Sequence, residues 1–364
     1  MLVERLELLD FRNYAHGVIE LTPGVTCVVG QNGQGKTNLA EAMAYLATLS
    51  SFRQVPNEAL VRVGAERAVV RAEIVDDDGR RSLIEAEIAT SGRGRVQVNR
   101  QRLQRTRDLL GTVRVSVFSP DDLELVKGGP GERRRLLDDT LVALAVRNDA
   151  LRLEVDRVIR QRNTLLRQCG GRLDADAELT LDVWDSRLTE VGERLGHARS
   201  VLVERLAPFV AEAQAVLSGG LTAVSLSYAP TWRTTGLSNA LAEARRDDLR
   251  RQVSTVGPHR DELDLMIGGL PARTHASQGE QRTLALALRL AAHRLVAEHV
   301  GSVPVLVLDD VLSELDETRA AALLSGLPGG QVVITTAAPL PAAAIPDRVL
   351  RIDGGTVIGD EPGG

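Results

Sequence analysis

Two stretches of this chain carry residue types suited to phosphate chemistry, and they lie far apart. Gly30-Gln31-Asn32-Gly33-Gln34-Gly35-Lys36-Thr37 sets three glycines before a lysine and a hydroxyl. Glycines let a backbone turn so that its N–H groups face phosphate oxygens, the lysine reaches the β- and γ-phosphates, and the hydroxyl holds Mg²⁺. The second stretch, Val303 to Asp310, is apolar and ends in two carboxylates, Asp309 and Asp310. Asp309 is expected in the Mg²⁺ shell and Asp310 beside an attacking water as general base. The alternative for Asp310 is that it caps the following helix. Ser277-Gln278-Gly279-Glu280-Gln281 precedes the paired carboxylates. Ser277 is a plausible N-cap, and Gly279 allows close approach to a backbone. These parts read as a composite ATP site, with Ser277, Gln278 and Gly279 of one copy closing over ATP on the loop of another.

The elements around these motifs fit that use. Val25–Val29 is an apolar strand leading into the loop, and Thr37–Leu49 is a helix. Residues 2–9 and 18–21 read as a hairpin, with Phe11-Arg12-Asn13-Tyr14 at its bend. Residues 68–75 and 82–89 read as strands joined by Asp76-Asp77-Asp78-Gly79. Val96–Val98 and Val113–Phe118 add strands, which makes the first lobe mixed, with an antiparallel portion. From Pro130 the period changes: Leu137, Leu141, Leu144, Asn148, Leu151, Val155, Val158, Arg162, Leu165 and Cys169 follow heptad steps, as do Leu181, Trp184, Leu188, Val191, Leu195, Ala198 and Leu202. This predicts an antiparallel helical hairpin with arms of roughly 50 Å, or an ordinary helical bundle, which Arg162 at a seam position favours. A strand at 221–228, a charged helix at 237–253, a long helix after Gln278, strands at 303–308 and 331–335, and a hairpin around Asp353-Gly354-Gly355 complete the chain. The expected divisions are 1–125, 126–255 and 256–364: an ATPase head in two parts around an inserted helical arm.

The 364 residues are 43% hydrophobic, enough for a sizeable core, and no apolar run is long enough to span a bilayer. Cys27 and Cys169 stand among apolar neighbours, which predicts reduced thiols and a cytoplasmic protein. The net charge of −5 does not announce a nucleic-acid partner. Lys36 and Lys127 are the only lysines, a bias that codon usage also explains. Arg93, Arg95, Arg100, Arg102, Arg105 and Arg107 nevertheless fall in a stretch without an acidic residue. Arg93, Arg95 and Arg100 are candidate DNA contacts; solvated faces are the plain alternative for them, for Arg133-Arg134-Arg135 and for the arginines of the arm. Aromatics are 2% of the chain, so base-stacking platforms are not expected.

The motif order is similar to that of ABC-type ATPases of the structural-maintenance-of-chromosomes class, and most closely resembles the RecF family of DNA replication and repair proteins. The matching strings are Phe11-Arg12-Asn13-Tyr14, Gly33 through Asn38, Phe118-Ser119-Pro120-Asp121-Asp122-Leu123, Gly257-Pro258-His259-Arg260-Asp261, Ser277 through Arg282, and Leu308 through Asp316. The resemblance implies an α/β fold: an ABC-type head with a mixed sheet, an antiparallel lobe and an inserted arm. It implies a slow Mg²⁺-dependent ATPase that forms an ATP-dependent homodimer, binds double-stranded DNA and single/double-strand junctions, works with RecR and RecO to load RecA, and serves the DNA damage (SOS) response. It implies nucleotide contact by Arg12 and by residues 30–38, Asn38 included. Ser119-Pro120 stands where a Mg²⁺-sensing glutamine is common, and Thr335-Thr336 where a histidine is common. His259 and Arg260 either lock the two lobes together or touch ATP. The alternatives to a DNA-gap ATPase are a transporter's nucleotide-binding subunit, which would not need the insertion, and a non-hydrolysing ATP-bound DNA scaffold.

Overall fold

The computed structural model describes residues 1–220, 222–341 and 343–363. Strands β1 (Leu2–Phe11) and β2 (Tyr14–Glu20) form the expected hairpin, extended inward so that only Arg12 and Asn13 turn. β3 (Val25–Val29) runs to the glycine loop and α1 (Lys36–Thr48). β4 (Arg67–Val75), β5 (Arg81–Ala89), β6 (Arg95–Val98) and β7 (Gln101–Arg102) follow, then β8 (Val115–Phe118) and α2 (Glu124–Lys127). The insertion holds α3 (Pro130–Leu144), α4 (Arg147–Gln168), α5 (Ala175–Ser218), β9 (Val224–Ser227), α6 (Trp232–Thr235) and α7 (Leu237–Arg251). After β10 (Asp264–Ile267), β11 (Leu270–Pro271) and α8 (Ala272–His275) come α9 (Gln278–Val300), β12 (Val305–Asp309), α10 (Glu317–Ser325), β13 (Val332–Thr336), β14 (Arg348–Asp353) and β15 (Thr356–Pro362).

Contacts divide the chain into two units, Met1–Asp122 with Ala213–Leu221 and Ala285–Gly364, and Leu123–Glu212 with Thr222–Leu284. The return to the first unit falls at 285, later than the 256 expected from sequence. The cause is local: β10 pairs antiparallel with β9, Leu265 opposite Leu226, which keeps this segment with the insertion.

The first unit contains two six-stranded sheets. One is antiparallel, in the order β2-β1-β4-β5-β6-β7; the other runs β15-β14-β3-β13-β12-β8 and is parallel except for β14–β15. All five residues of β12 are buried, and so are all five of β13, the pattern of central parallel strands. α1 is apolar around most of its circumference, and Leu39, Met43 and Leu46 join residues of both sheets in one core.

In the second unit, α4 and α5 meet through Arg162–Asp185 and Glu154–Arg187, and α3 meets α5 through Asp138–Arg199. Partners descend along one chain as they ascend along the other, which is antiparallel packing. The first arm is not one helix. Ala145 is extended, and the Asn148 side chain donates to the Leu141 carbonyl at 2.7 Å, ending α3. A short amide that competes for backbone carbonyls explains the break at a position the heptad count assigned to the seam. Arg162 is wholly buried at its seam position, bonded to Asp185 (2.6 Å), to Asp248 of α7 (2.6 Å) and to Ser254 (2.9 Å). The helices of this unit therefore pack as a compact bundle, with α7 closing over the seam.

Candidate functional site

The loop between β3 and α1 is fixed by residues distant in sequence. Gly33 and Gly35 have φ of 80° and 117°, which favours glycine at both positions. A Cβ on Gly30 would meet the Ile352 carbonyl at 2.4 Å, so β14 leaves no room there. Lys36 is buried, and its Nζ donates to the carbonyls of Gly30 and Gln31, both at 2.8 Å. Burial pushes the ammonium below the usual lysine range, while the nearby Asp310 and Asp309 carboxylates pull it back up.

β12 ends beside this loop. The Thr37 hydroxyl donates to Asp309 Oδ1 at 3.0 Å, and the Thr335 hydroxyl donates to the same oxygen at 2.6 Å. Burial raises Asp309 above the ordinary carboxylate range against the opposing pull of the Thr335 and Thr37 hydrogen bonds. Asp310 sits in the left-handed region, φ 53°, and its N–H donates to the carbonyl and hydroxyl of Thr335. Its Oδ1 is buried and meets no hydrogen-bond donor among the described residues. The N-cap of α10 is Asp316, whose side chain accepts from the Arg319 N–H at 2.8 Å, so Asp310 is not the cap. Thr37, Asp309 and Asp310 thus offer hard oxygen ligands of the kind Mg²⁺ takes, and the orphaned Asp310 oxygen fits a further ligand or water.

The remaining sequence-predicted residues divide. Gln31, Asn32 and Gly33 are exposed at the loop's crest. The Gln34 carbonyl accepts from Asn13 Nδ2 (3.0 Å) and the Gly355 N–H (2.8 Å), and its side chain accepts from the Gly354 N–H (2.7 Å). Asn38 donates to Asn13 Oδ1 at 2.7 Å, and the Tyr14 hydroxyl donates to the Gly35 carbonyl at 3.0 Å. Arg12, at φ 54°, grips the fully buried Glu41 with two nitrogens at 2.7 and 2.8 Å and donates to the Ala59 carbonyl. Sequence reading missed Asn13, Glu41, Thr335 and Gly355 as site residues, although Asn13, Thr335 and Gly355 stood inside strings it had marked. Ser119 follows Phe118, which pairs with Leu308, so parallel register sets Ser119 level with Asp309.

Ser277, Gln278 and Gly279 lie in the second unit. Ser277 and Glu280 cap each other: Glu280 Oε2 accepts from the Ser277 N–H and hydroxyl at 2.8 Å, and the Glu280 N–H donates to Ser277 Oγ. His259 and Arg260 both bond the Ser254 carbonyl, and burial lowers His259 to about 4. Both bonds lie within the second unit and give the two side chains a structural role there. The candidate DNA residues Arg93, Arg95 and Arg100 are all exposed, and Arg95 also pairs with Glu87 across β5–β6 at 2.7 Å.

A glycine loop between a parallel strand and a helix, a buried aspartate at the tip of β12, two places along the same sheet from β3, and a helical insertion between them in sequence define an ABC-type P-loop ATPase head. Comparison with known proteins is narrower. The family model for the RecF/RecN/SMC N-terminal domain matches residues 2–341. The protein from Streptomyces avermitilis described as DNA replication and repair protein RecF is 46% identical, over 98% of this chain and 97% of its own. One of the same description from Acidothermus cellulolyticus is 44% identical, over 93% and 94%. A solved structure of the recombination mediator protein RecF-ATPrS in the RecFOR pathway superimposes with a TM-score of 0.90 at 30% identity, covering 98% of this chain and 97% of that one. An Smc head bound to the C-terminal winged-helix domain of ScpA shares the fold, with a TM-score of 0.60 at 18% identity. The chain belongs to the RecF family of DNA replication and repair proteins.

Proposed function

We propose that this protein is a slow, Mg²⁺-dependent ATPase that uses ATP to close a head-to-head homodimer on DNA. The observation that carries the reading is the meeting of Lys36, Thr37 and Asp309 at one end of the parallel sheet. Lys36 would turn from its loop carbonyls to the β- and γ-phosphates, and the loop N–H groups of residues 30–38 would take the phosphate oxygens. Thr37 and Asp309 would hold Mg²⁺, which when bound neutralises charge developing on the phosphates. Asp310, with its unbonded oxygen, would accept a proton from water. Ser277, Gln278 and Gly279 of a second copy would close over the γ-phosphate. Arg12, held flat by Glu41, would touch the nucleotide at its margin.

The family relationship supports a role in recombinational repair and replication: binding of double-stranded DNA and gap junctions, and work with RecR and RecO to load RecA, in the cytoplasm. Arg93 and Arg100, with Arg95 partly neutralised by Glu87, are the proposed DNA contacts. A transporter subunit finds no support, since it would not need the helical insertion and the relatives are described as DNA replication and repair proteins. A non-hydrolysing scaffold is separated by experiment. ATP turnover, measured with and without duplex DNA, is expected to be DNA-stimulated, to stay below about 10 s⁻¹, and to vanish in Lys36→Met. Turnover unchanged in Lys36→Met would remove the loop from the chemistry.

A further inference from the structure

We propose that Asn13, Tyr14 and Gly355 are positioning residues that set the phosphate-binding N–H groups before any ligand arrives; the proposal rests on the nucleotide reading above. In a trans peptide the N–H points opposite to the C=O, so whatever fixes a carbonyl also aims the next amide. Two consecutive planes of the loop are fixed in this way. The Gln34 carbonyl accepts from Asn13 Nδ2 at 3.0 Å and from the Gly355 N–H at 2.8 Å, which turns the Gly35 N–H away from both. The Gly35 carbonyl accepts from the Tyr14 hydroxyl at 3.0 Å and from the Leu39 N–H at 3.0 Å, which turns the Lys36 N–H away in its turn. These amides precede or begin α1, where no helical carbonyl can satisfy them, so they are left for an anion.

The three partners come from opposite ends of the sequence and meet one another as well as the loop. Gly355 has φ 77°, and a Cβ there would lie 2.8 Å from the Asn13 carbonyl oxygen, so the terminal hairpin reaches the loop only with glycine at its turn. Gly354 adds the bond that ties down the Gln34 side chain. The Asn13 amide is shared, with Nδ2 holding Gln34 and Oδ1 accepting from Asn38 on α1. The clamp therefore spans the loop from Gln34 to the first turn of the helix. It would give the site affinity by sparing it the ordering that a mobile glycine loop has to undergo on binding.

The test measures binding of ATP and of inorganic tripolyphosphate by calorimetry, with steady-state kinetics and unliganded thermal stability alongside. Tyr14→Phe, which deletes one hydroxyl, and Gly355→Ala, which displaces the hairpin turn, are each expected to weaken both ligands by about tenfold, the loss of one well-aimed charge-assisted bond. KM should rise while kcat at saturating ATP stays near wild type. Tyr228→Phe is the control: it deletes a buried hydroxyl bonded to Asp261 in the other unit and should leave both affinities unchanged. The proposal is overturned if Tyr14→Phe and Gly355→Ala bind both ligands as wild type does, or if Tyr228→Phe loses as much affinity as they do. A wild-type protein that binds neither ligand defeats the nucleotide reading itself, and this inference with it.

Discussion

In the second unit, Arg162, Arg199 and Arg133 lie almost wholly out of water, and each is met by carboxylates of that unit. In the first, Lys36 and Asp309 are as deeply buried, yet the lysine is held by loop carbonyls and the aspartate by hydroxyls. One set of charges closes on itself; the other leaves its pairing to something that arrives. A buried charge completed by its neighbours maintains a fold, and one left incomplete is where a ligand adds most. The shifts follow the same division: burial displaces both Lys36 and Asp309 toward their neutral forms.

The largest test of this contrast is Arg162→Ala. It would strand Asp248, which is 0% exposed and whose Oδ2 is bonded to Arg162. A loss of about 3–5 kcal/mol is expected in urea unfolding, the usual cost of removing one partner from a buried pair. Lys36→Met, which breaks no ion pair, should cost far less in the same assay. Equal losses from the two variants would erase the distinction.

Sequence reading found the contacts that depend on short, local patterns and missed those that depend on return paths. Strand β3, the loop, α1, β12 and the Ser277 cap were legible because each is specified within about ten residues by glycine, apolar runs or a capping pair. Asn148 was misassigned to a seam, since a heptad count cannot see a side chain that prefers a backbone carbonyl. Thr335 was noticed only for the residue it replaced, although its hydroxyl is what holds Asp309. Gly355 looked like a hairpin glycine alone, because nothing local says that its N–H meets a carbonyl 321 positions away, at Gln34.

The second test is pH, and it probes both units with one chemical group. His259 in the second unit and His293 in the first are each brought by burial to about 4. His259 also feels Arg260, Arg134 and Arg162, which disfavour a further positive charge; its Nε2 bonds the Ser254 carbonyl. Among the described residues, neither ring nitrogen of His293 has a hydrogen-bond partner. A lowered folded pKa means that the unfolded chain binds protons first, so the stabilisation is present above about pH 6.5 and is lost as pH falls toward about 4. Each histidine should contribute on the order of 3 kcal/mol across that window. His293→Leu should flatten part of the slope and stabilise the protein. His259→Gln should flatten another part while forfeiting the Ser254 bond. A slope unaffected by either variant would show that other groups carry the acid sensitivity.

The smallest expected effect is the most discriminating, because its sign is opposite in the two units. Asp309→Asn keeps an oxygen to accept from Thr37 and Thr335 but removes a charge that burial disfavours. A raised folded pKa means that the folded state holds its proton more tightly than the unfolded chain, so the penalty of the charged form grows as pH rises. At pH 7 the unliganded variant is therefore expected to gain about 1 kcal/mol, and the gain should shrink as the wild-type carboxyl takes up its own proton in acid. Mg²⁺-ATP binding should weaken in the same variant, as expected where stability has been given up for function. If Asp309→Asn instead destabilises the unliganded protein as Arg162→Ala does, the Asp309 charge belongs to the fold. The first unit would then be closed on itself like the second.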